Sequence, residues 1–150
     1  MTIESWQEEF CPPGSHLDAA NADGDLPALT HALKKWEGMR PENLAKHEVR
    51  VNRGVLRELM GSGVMYPGVH CALCERYGDG CTDGDGVICP LASSTPESGC
   101  NGNTGDRPIW LDDCDDPEWD DSRTIWCRFA RTGDVEPMIA CIKTALEKLK

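Results

Sequence analysis

Read for the spacing of apolar side chains, the chain carries three helical stripes and one weaker alternation. Leu26, Leu29, Leu33 and Trp36 recur at three- and four-residue intervals. Asp25 stands where an N-cap belongs, Pro27 is tolerated in a first turn and Gly38 supplies a stop, so a helix is predicted over 25–38. A second helix is predicted from Pro41 to Met60, ended by Gly61-Ser62-Gly63. At about 100° per residue, Leu44, Val51, Val55 and Leu59 share one of its faces, and Lys46, Arg50, Arg53 and Arg57 line the opposite one as a basic stripe. Gly54 in its middle costs about 1 kcal/mol relative to alanine. Ile139, Ile142, Leu146 and Leu149 mark a third helix over 134–149, with Asp134 as cap, Pro137 in the first turn and Lys143, Lys148 and Lys150 toward the negative end of the dipole. Thr124 to Ala130 alternates, with Ile125, Cys127 and Phe129 on one side, which predicts a strand. Residues 1–24, punctuated by Pro12-Pro13-Gly14 and Asn21-Ala22-Asp23-Gly24, read as an irregular arm.

Between the second and third helices the apolar pattern fails and cysteine takes its place. Cys71, Cys74, Cys81, Cys89 and Cys100 fall in a stretch with few large apolar side chains, so burial is a poor candidate for holding it in shape and a cross-link is expected. Cys71-x-x-Cys74 has the spacing that lets two sulfurs of one turn reach one ion at roughly 2.3 Å. Any two of Cys81, Cys89 and Cys100 can complete a tetrahedral four-thiolate site, and spacing does not choose between them. Zinc is the expected metal. An iron–sulfur cluster is the alternative, because Cys89-Pro90 echoes the end of ferredoxin motifs while the compact run of ligands is missing. Cys11 stands apart as an unligated thiol.

The order Cys71-Ala72-Leu73-Cys74, a lone cysteine, Cys89-Pro90-Leu91, Gly99-Cys100 and then Pro108 with an aromatic just after resembles a group of small cysteine-rich proteins encoded by bacteriophages and prophages. In that group a Lys-Trp-Glu helix precedes the cysteines, and Lys34-Lys35-Trp36-Glu37 fits the place. The resemblance spans residues 32–110. It implies phage origin and a metal-bound knuckle, and it carries no defined activity. This chain departs from the pattern between Cys81 and Cys89, where Thr82 to Ile88 replaces a short Cys-x-x-Cys.

Composition narrows the rest. A chain of 150 residues fits one domain. Its parts are the arm (1–24), a helical pair (25–60), the knuckle (64–105), an acidic loop (106–122) and a strand with a C-terminal helix (123–150). The expected class is α-rich α+β, helices flanking a loop-rich cysteine–metal knuckle with one small sheet. Fifteen glycines and ten prolines mean many loops, whose ordering entropy a metal would offset. No basic flank followed by an apolar run opens the chain, no segment reaches the length of a membrane span, and the nine cysteines are an odd number. The expectation is reduced thiols in a host cytosol, away from membranes.

The formal charge of −11 argues against non-specific nucleic-acid binding. Much of it is local: Asp112, Asp113, Asp115, Asp116, Glu118, Asp120 and Asp121 crowd together with Trp110 and Trp119 beside them. Asp112, Asp113, Asp115, Asp116, Trp119, Asp120 and Asp121 are therefore the candidate contact residues for a basic host protein, and the Lys46–Arg57 stripe the candidate dock for the same tract or for a phosphate-rich partner. Zinc-deaminase, His-Glu-x-x-His, Walker and dinucleotide signatures are all missing. No spacing ties His16, His31 or His47 to a thiol, and each reads as a surface or satisfied structural residue. The reading is a non-enzymatic, metal-stabilised interaction module with no catalytic residue assigned, against an iron–sulfur or thiol redox protein.

Overall fold

Helix α3 (Leu26–Glu37) is the element on which four other described helices pack. The computed structural model describes residues 2–52, 55–65, 72–77, 129 and 132–150. Asp25 and Gly38 bound α3 as the sequence predicts, but its buried face is turned from the leucine stripe. Ala28, Leu29, Ala32 and Trp36 are buried, whereas Leu26 is 57% exposed. Two alanines in that face let neighbouring helices come close. Lys35 also lies on it, 1% exposed, with Nζ 5.7 Å from the centre of the Trp36 ring.

The N-terminal arm is helical, which corrects the irregular reading of residues 1–24. Helix α1 (Ile3–Phe10) opens with a capping box: Thr2 Oγ1 accepts from Ser5 N at 3.3 Å and Ser5 Oγ accepts from Thr2 N at 3.0 Å. Ile3, Trp6 and Phe10 form its buried face. Pro12 and Pro13 stop the helix after Cys11, and Gly14, at φ +79°, makes the left-handed turn into α2 (Ser15–Asn21).

The predicted helix over 41–60 is also corrected. Only Pro41–Lys46 is helical (α4), and the rest is β1 (Val49–Asn52), β2 (Val55–Glu58) and β3 (Val64–Met65), an antiparallel sheet in the order β1-β2-β3. Glu48 at φ +55° breaks the helix, and Val49, Val51 and Val55 are β-branched residues that suit a pleated surface. Val51 stands opposite Leu56 and Leu56 opposite Met65 on the inner face. Glu58 ties the sheet to α1: its Oε1 accepts from Ile3 N at 3.2 Å and its Oε2 from Gly63 N at 3.3 Å. A side chain at Gly61 or Gly63 would collide with that carboxylate.

Helix α5 (Ala72–Tyr77) follows, and α6 (Glu136–Glu147) packs on α3. Pro137 sits in the first turn, as the sequence predicts, whereas the N-cap is Val135 in place of the expected Asp134, whose Oδ1 accepts from Glu136 N one residue further in. Met138, Ile139, Cys141, Ile142 and Ala145 are buried, while Leu149 is exposed. Arg40 makes a two-pronged bond to Glu136, at 2.9 and 3.2 Å, pinning α6 to the α3–α4 junction. Phe129 and Thr132 have helical backbone, so the strand predicted over 124–130 is not present at the described Phe129. Its ring meets Trp36 edge-on at 4.7 Å. One hydrophobic core thus runs from α1 through α3, the sheet and α5 to α6, and the protein is a helix-rich α+β fold.

A close joint in that core lies between α1 and the end of α3. Trp6 Nε1 donates to Gly38 O at 2.8 Å, and a Cβ on Gly38 would stand 2.7 Å from Phe10 Cβ and 2.8 Å from Phe10 Cδ1. Helix propensity favours alanine over glycine by up to about 1 kcal/mol, whereas forcing Phe10 aside costs about 1–3 kcal/mol. Gly38→Ala is therefore expected to destabilise the protein, read as a lower urea midpoint. A higher midpoint would show that α1 does not press on Gly38.

Candidate functional site

Of the residues the sequence nominates for metal, Cys71, Cys81, Cys89 and Cys100 lie outside the described residues. Cys74 lies on α5, its side chain outside the described ones. What the structure does describe is how that helix is seated. Ala72 and Leu73 are buried in the common core, and α5 packs on both α2 and α3. Arg76 holds its far end: Nη1 donates to Ala20 O at 3.1 Å and Ala22 O at 2.9 Å, and Nε donates to Asp25 Oδ1 at 3.1 Å. The guanidinium thus satisfies carbonyls at the C-terminus of α2, where a cation suits the helix dipole. Asp25, expected to cap α3 through its side chain, makes no such cap bond and accepts from Arg76 instead.

A second group of metal-type side chains, which the sequence reading set aside, comes together at the α1–α2 turn. Cys11, 1% exposed, has its Sγ 4.0 Å from His31 Nε2. Ser15 Oγ is 2.8 Å from the same nitrogen, and the His16 and His31 ring centres are 6.5 Å apart. The Pro-Pro-Gly turn brings Cys11, Ser15 and His16 up to one side of α3. Sequence spacing gave no signal for this, because His31 arrives from a different helix. Among the described residues, no three His, Cys, Asp or Glu side chains gather closely enough to hold a metal by themselves.

No family model, curated protein or solved structure matches the chain. Nor do the described residues include a helix long and apolar enough to cross a membrane.

The basic stripe is dispersed by the fold, since its helix does not exist. Lys46, at the end of α4, bonds both oxygens of Glu9 at 2.8 Å. Arg50 and Arg57 face each other across β1 and β2, both exposed, and Arg53 lies outside the described residues. Asp112, Asp113, Asp115, Asp116, Trp119, Asp120 and Asp121 also lie outside them.

His47 stands in an arrangement with the outline of a hydrolase triad. Its Nδ1 is 2.9 Å from Ser5 Oγ and its Nε2 is 3.0 Å from Glu9 Oε2. The details belong to a structural network. Ser5 Oγ donates to Thr2 O at 2.8 Å, so the single hydroxyl proton is committed to the helix cap and is not aimed at the imidazole. His47 is 3% exposed and meets Phe10 edge-on, which closes it to a substrate. It is a satisfied buried histidine, as the sequence reading held.

Glu9 collects the charge of this network. The Lys46 ammonium bonded to it holds its carboxyl below the usual glutamate value. Partial burial opposes the shift, and the bond from His47 reinforces it. A lowered folded-state pKa gives stability that is fully present above the ordinary glutamate value of about 4.3 and is lost as pH falls through the folded value. Glu9→Gln should therefore melt below the parent at neutral pH, and the gap should narrow as pH drops below about 4. Melting curves from pH 3 to 7 check this, and a gap that stays constant across the range would rule out the Glu9 charge as its source.

Proposed function

We propose that the protein is a non-enzymatic, metal-stabilised interaction module whose cysteine segment holds zinc and whose acidic tract engages a basic protein partner. The observation that carries the metal half is the seating of α5. The helix bearing the second sulfur of Cys71-x-x-Cys74 is fixed by two buried side chains, Ala72 and Leu73, and by the three bonds of Arg76. A rigid element at the start of a segment poor in apolar residues is what a structural metal site requires. A ligand carried on that helix starts from a seated backbone, and the ion would gather the others from Cys71, Cys81, Cys89 and Cys100. Four thiolates leave no open coordination position, so the ion stabilises and does not catalyse. The resemblance to phage and prophage proteins supports a partner in the cytosol of a bacterial host, which also keeps the thiols reduced.

The acidic tract supports the partner half. Its carboxylates are concentrated enough to steer a basic surface, and Trp110 and Trp119 are the residue type that anchors interfaces.

Metal analysis and an absorption spectrum of protein purified without oxygen should give one zinc per chain and no visible band. Iron with a broad visible band would replace zinc with a cluster. Cys71→Ser and Cys74→Ser should each lose the metal and melt about 10 °C or more below the parent, since ligation contributes folding free energy directly. Unchanged melting would remove the pair from the ligand set.

Converting Asp112, Asp113, Asp115 and Asp116 together to asparagine should leave the melting temperature within about 2 °C of the parent, as expected of surface changes. The same change should abolish salt-sensitive capture of a basic protein identified by mass spectrometry. Capture that survives the change would discard the interface.

A further inference from the structure

We propose that the outer face of the three-stranded sheet docks a short acidic segment of another protein, with Arg50 and Arg57 receiving its carboxylates and Leu59, Met60 and Val64 its apolar side chains. The inference depends neither on the metal nor on the acidic tract.

The pleat sorts the sheet into two rows. Val51, Leu56 and Met65 pair across the strands on the inner row, where Leu56 and Met65 are buried. One residue over, Arg50, Arg57 and Val64 pair in the same order, and all three are exposed. Neighbouring strands lie about 4.8 Å apart, so the two guanidiniums stand side by side on the surface. Among the described residues no carboxylate pairs with either arginine. Like charges directly opposite each other oppose strand pairing. Packing therefore gives no account of the pair, whereas a carboxylate shared by the two forks offsets the repulsion and adds charge-assisted bonds.

The apolar half of the face adjoins this row. Leu59 lies two residues beyond Arg57, on the same side of the pleat, and its N donates to Glu48 O at 3.0 Å, which continues the ladder. Leu59 is 55% exposed, Met60 90% and Val64 44%. Apolar side chains scattered singly over a surface are ordinary, but three so close together, rimmed by charge, mark a contact surface. The turn that carries them is already fixed. Glu58 Oε1 accepts from Ile3 N and Oε2 from Gly63 N, and that carboxylate leaves no room for a side chain at Gly61 or Gly63. A partner covering the turn therefore has little backbone freedom to remove.

Charge chooses the occupant. Two copies meeting face to face about a two-fold axis would bring arginine pair against arginine pair. A nucleic acid or an anionic membrane presents an extended negative field, which a chain of formal charge −11 repels. A short protein segment with two carboxylates beside apolar side chains matches both halves of the face and brings little charge with it.

Backbone amide spectra of the isotope-labelled full-length protein, titrated with a blocked synthetic peptide in which two glutamates precede two leucines, test this. Saturable shifts are expected at Arg50, Arg57, Leu59, Met60 and Val64. Arg50→Gln combined with Arg57→Gln should weaken binding about fivefold or more. Lys34→Gln combined with Lys143→Gln removes the same charge from exposed positions elsewhere and should leave binding within about twofold of the parent. Met60→Ser should weaken it about threefold or more. The arginine double variant should melt at or above the parent, since it removes a repulsion. A lower melting temperature would make the pair part of the sheet's stability and overturn its assignment to a partner. Shifts that are absent, or centred on another surface, overturn the inference. Inorganic phosphate that shifts the same amides as strongly as the peptide, with Met60→Ser without effect, reduces the face to a simple anion site and also overturns it. A concentration-dependent dimer in sedimentation that Met60→Ser abolishes gives the face to a second copy, with the same result.

Discussion

Phe10 lies so close to Gly38 that no side chain fits between them, and this contact decides how the N-terminal third of the protein is built. With α1 held there, the indole of Trp6 satisfies the Gly38 carbonyl as α3 ends, and His47 closes over Phe10 from the other side. Glu9, next to Phe10 on α1, then reaches Lys46 and His47 at the end of α4, and Ile3 N at the head of α1 reaches Glu58 on β2. The sheet is therefore attached to α3 through α1. Chain order would not have indicated this, because α3 and the sheet are joined in sequence by α4. The polar bonds in this region are individually worth about 1 kcal/mol. They set the register of α1 over α3, while burial of Trp6, Leu29 and Trp36 supplies the larger driving force.

How far the fold could be read from the sequence follows from how many large apolar side chains each element commits. Helices α3 and α6 were legible because capping residues, prolines and leucine or isoleucine stripes agree. Even there the phase was off, since Ala28 and Ala32 are core residues that a stripe drawn through leucines passes over. Helix α1 has only Ile3, Trp6 and Phe10, and its spacing was outweighed by the Pro-Pro-Gly that follows. The stretch 41–60 misled for a different reason. Val51, Val55 and Leu59 happen to sit four residues apart, which mimics a helix, while Val49-Arg50-Val51-Asn52 alternates as a strand should. Tertiary pairing with β2 and β3 and the left-handed Glu48 decide between the two patterns.

Candidate chemistry divides along the same line. The Cys-x-x-Cys pair and the basic side chains of 46–57 were visible because their members are close in sequence. Contacts made by folding leave no such trace. Cys11 meets His31 across two helices, Arg76 meets Ala20, Ala22 and Asp25 across more than fifty residues, and Lys35 is buried in a helix that reads as amphipathic.

The fate of the basic stripe bears on what the acidic tract can do. Lys46 is already committed to Glu9, so within the hairpin only Arg50 and Arg57 are described as cations without a described carboxylate partner. Standing directly opposite each other, they repel, and exposure to water and salt keeps that cost small. Two guanidiniums cannot balance the seven carboxylates between Asp112 and Asp121. An internal dock on this hairpin would leave most of the tract's charge in place, and the excess sums into a field that reaches beyond contact distance by about a Debye length, roughly 8 Å in physiological salt. Such a field speeds encounter with a basic surface more than it strengthens the final complex. On the function proposed above, a partner attracted in this way would be held, once docked, by Trp110 and Trp119, so that charge would govern how fast it arrives and the indoles how long it stays.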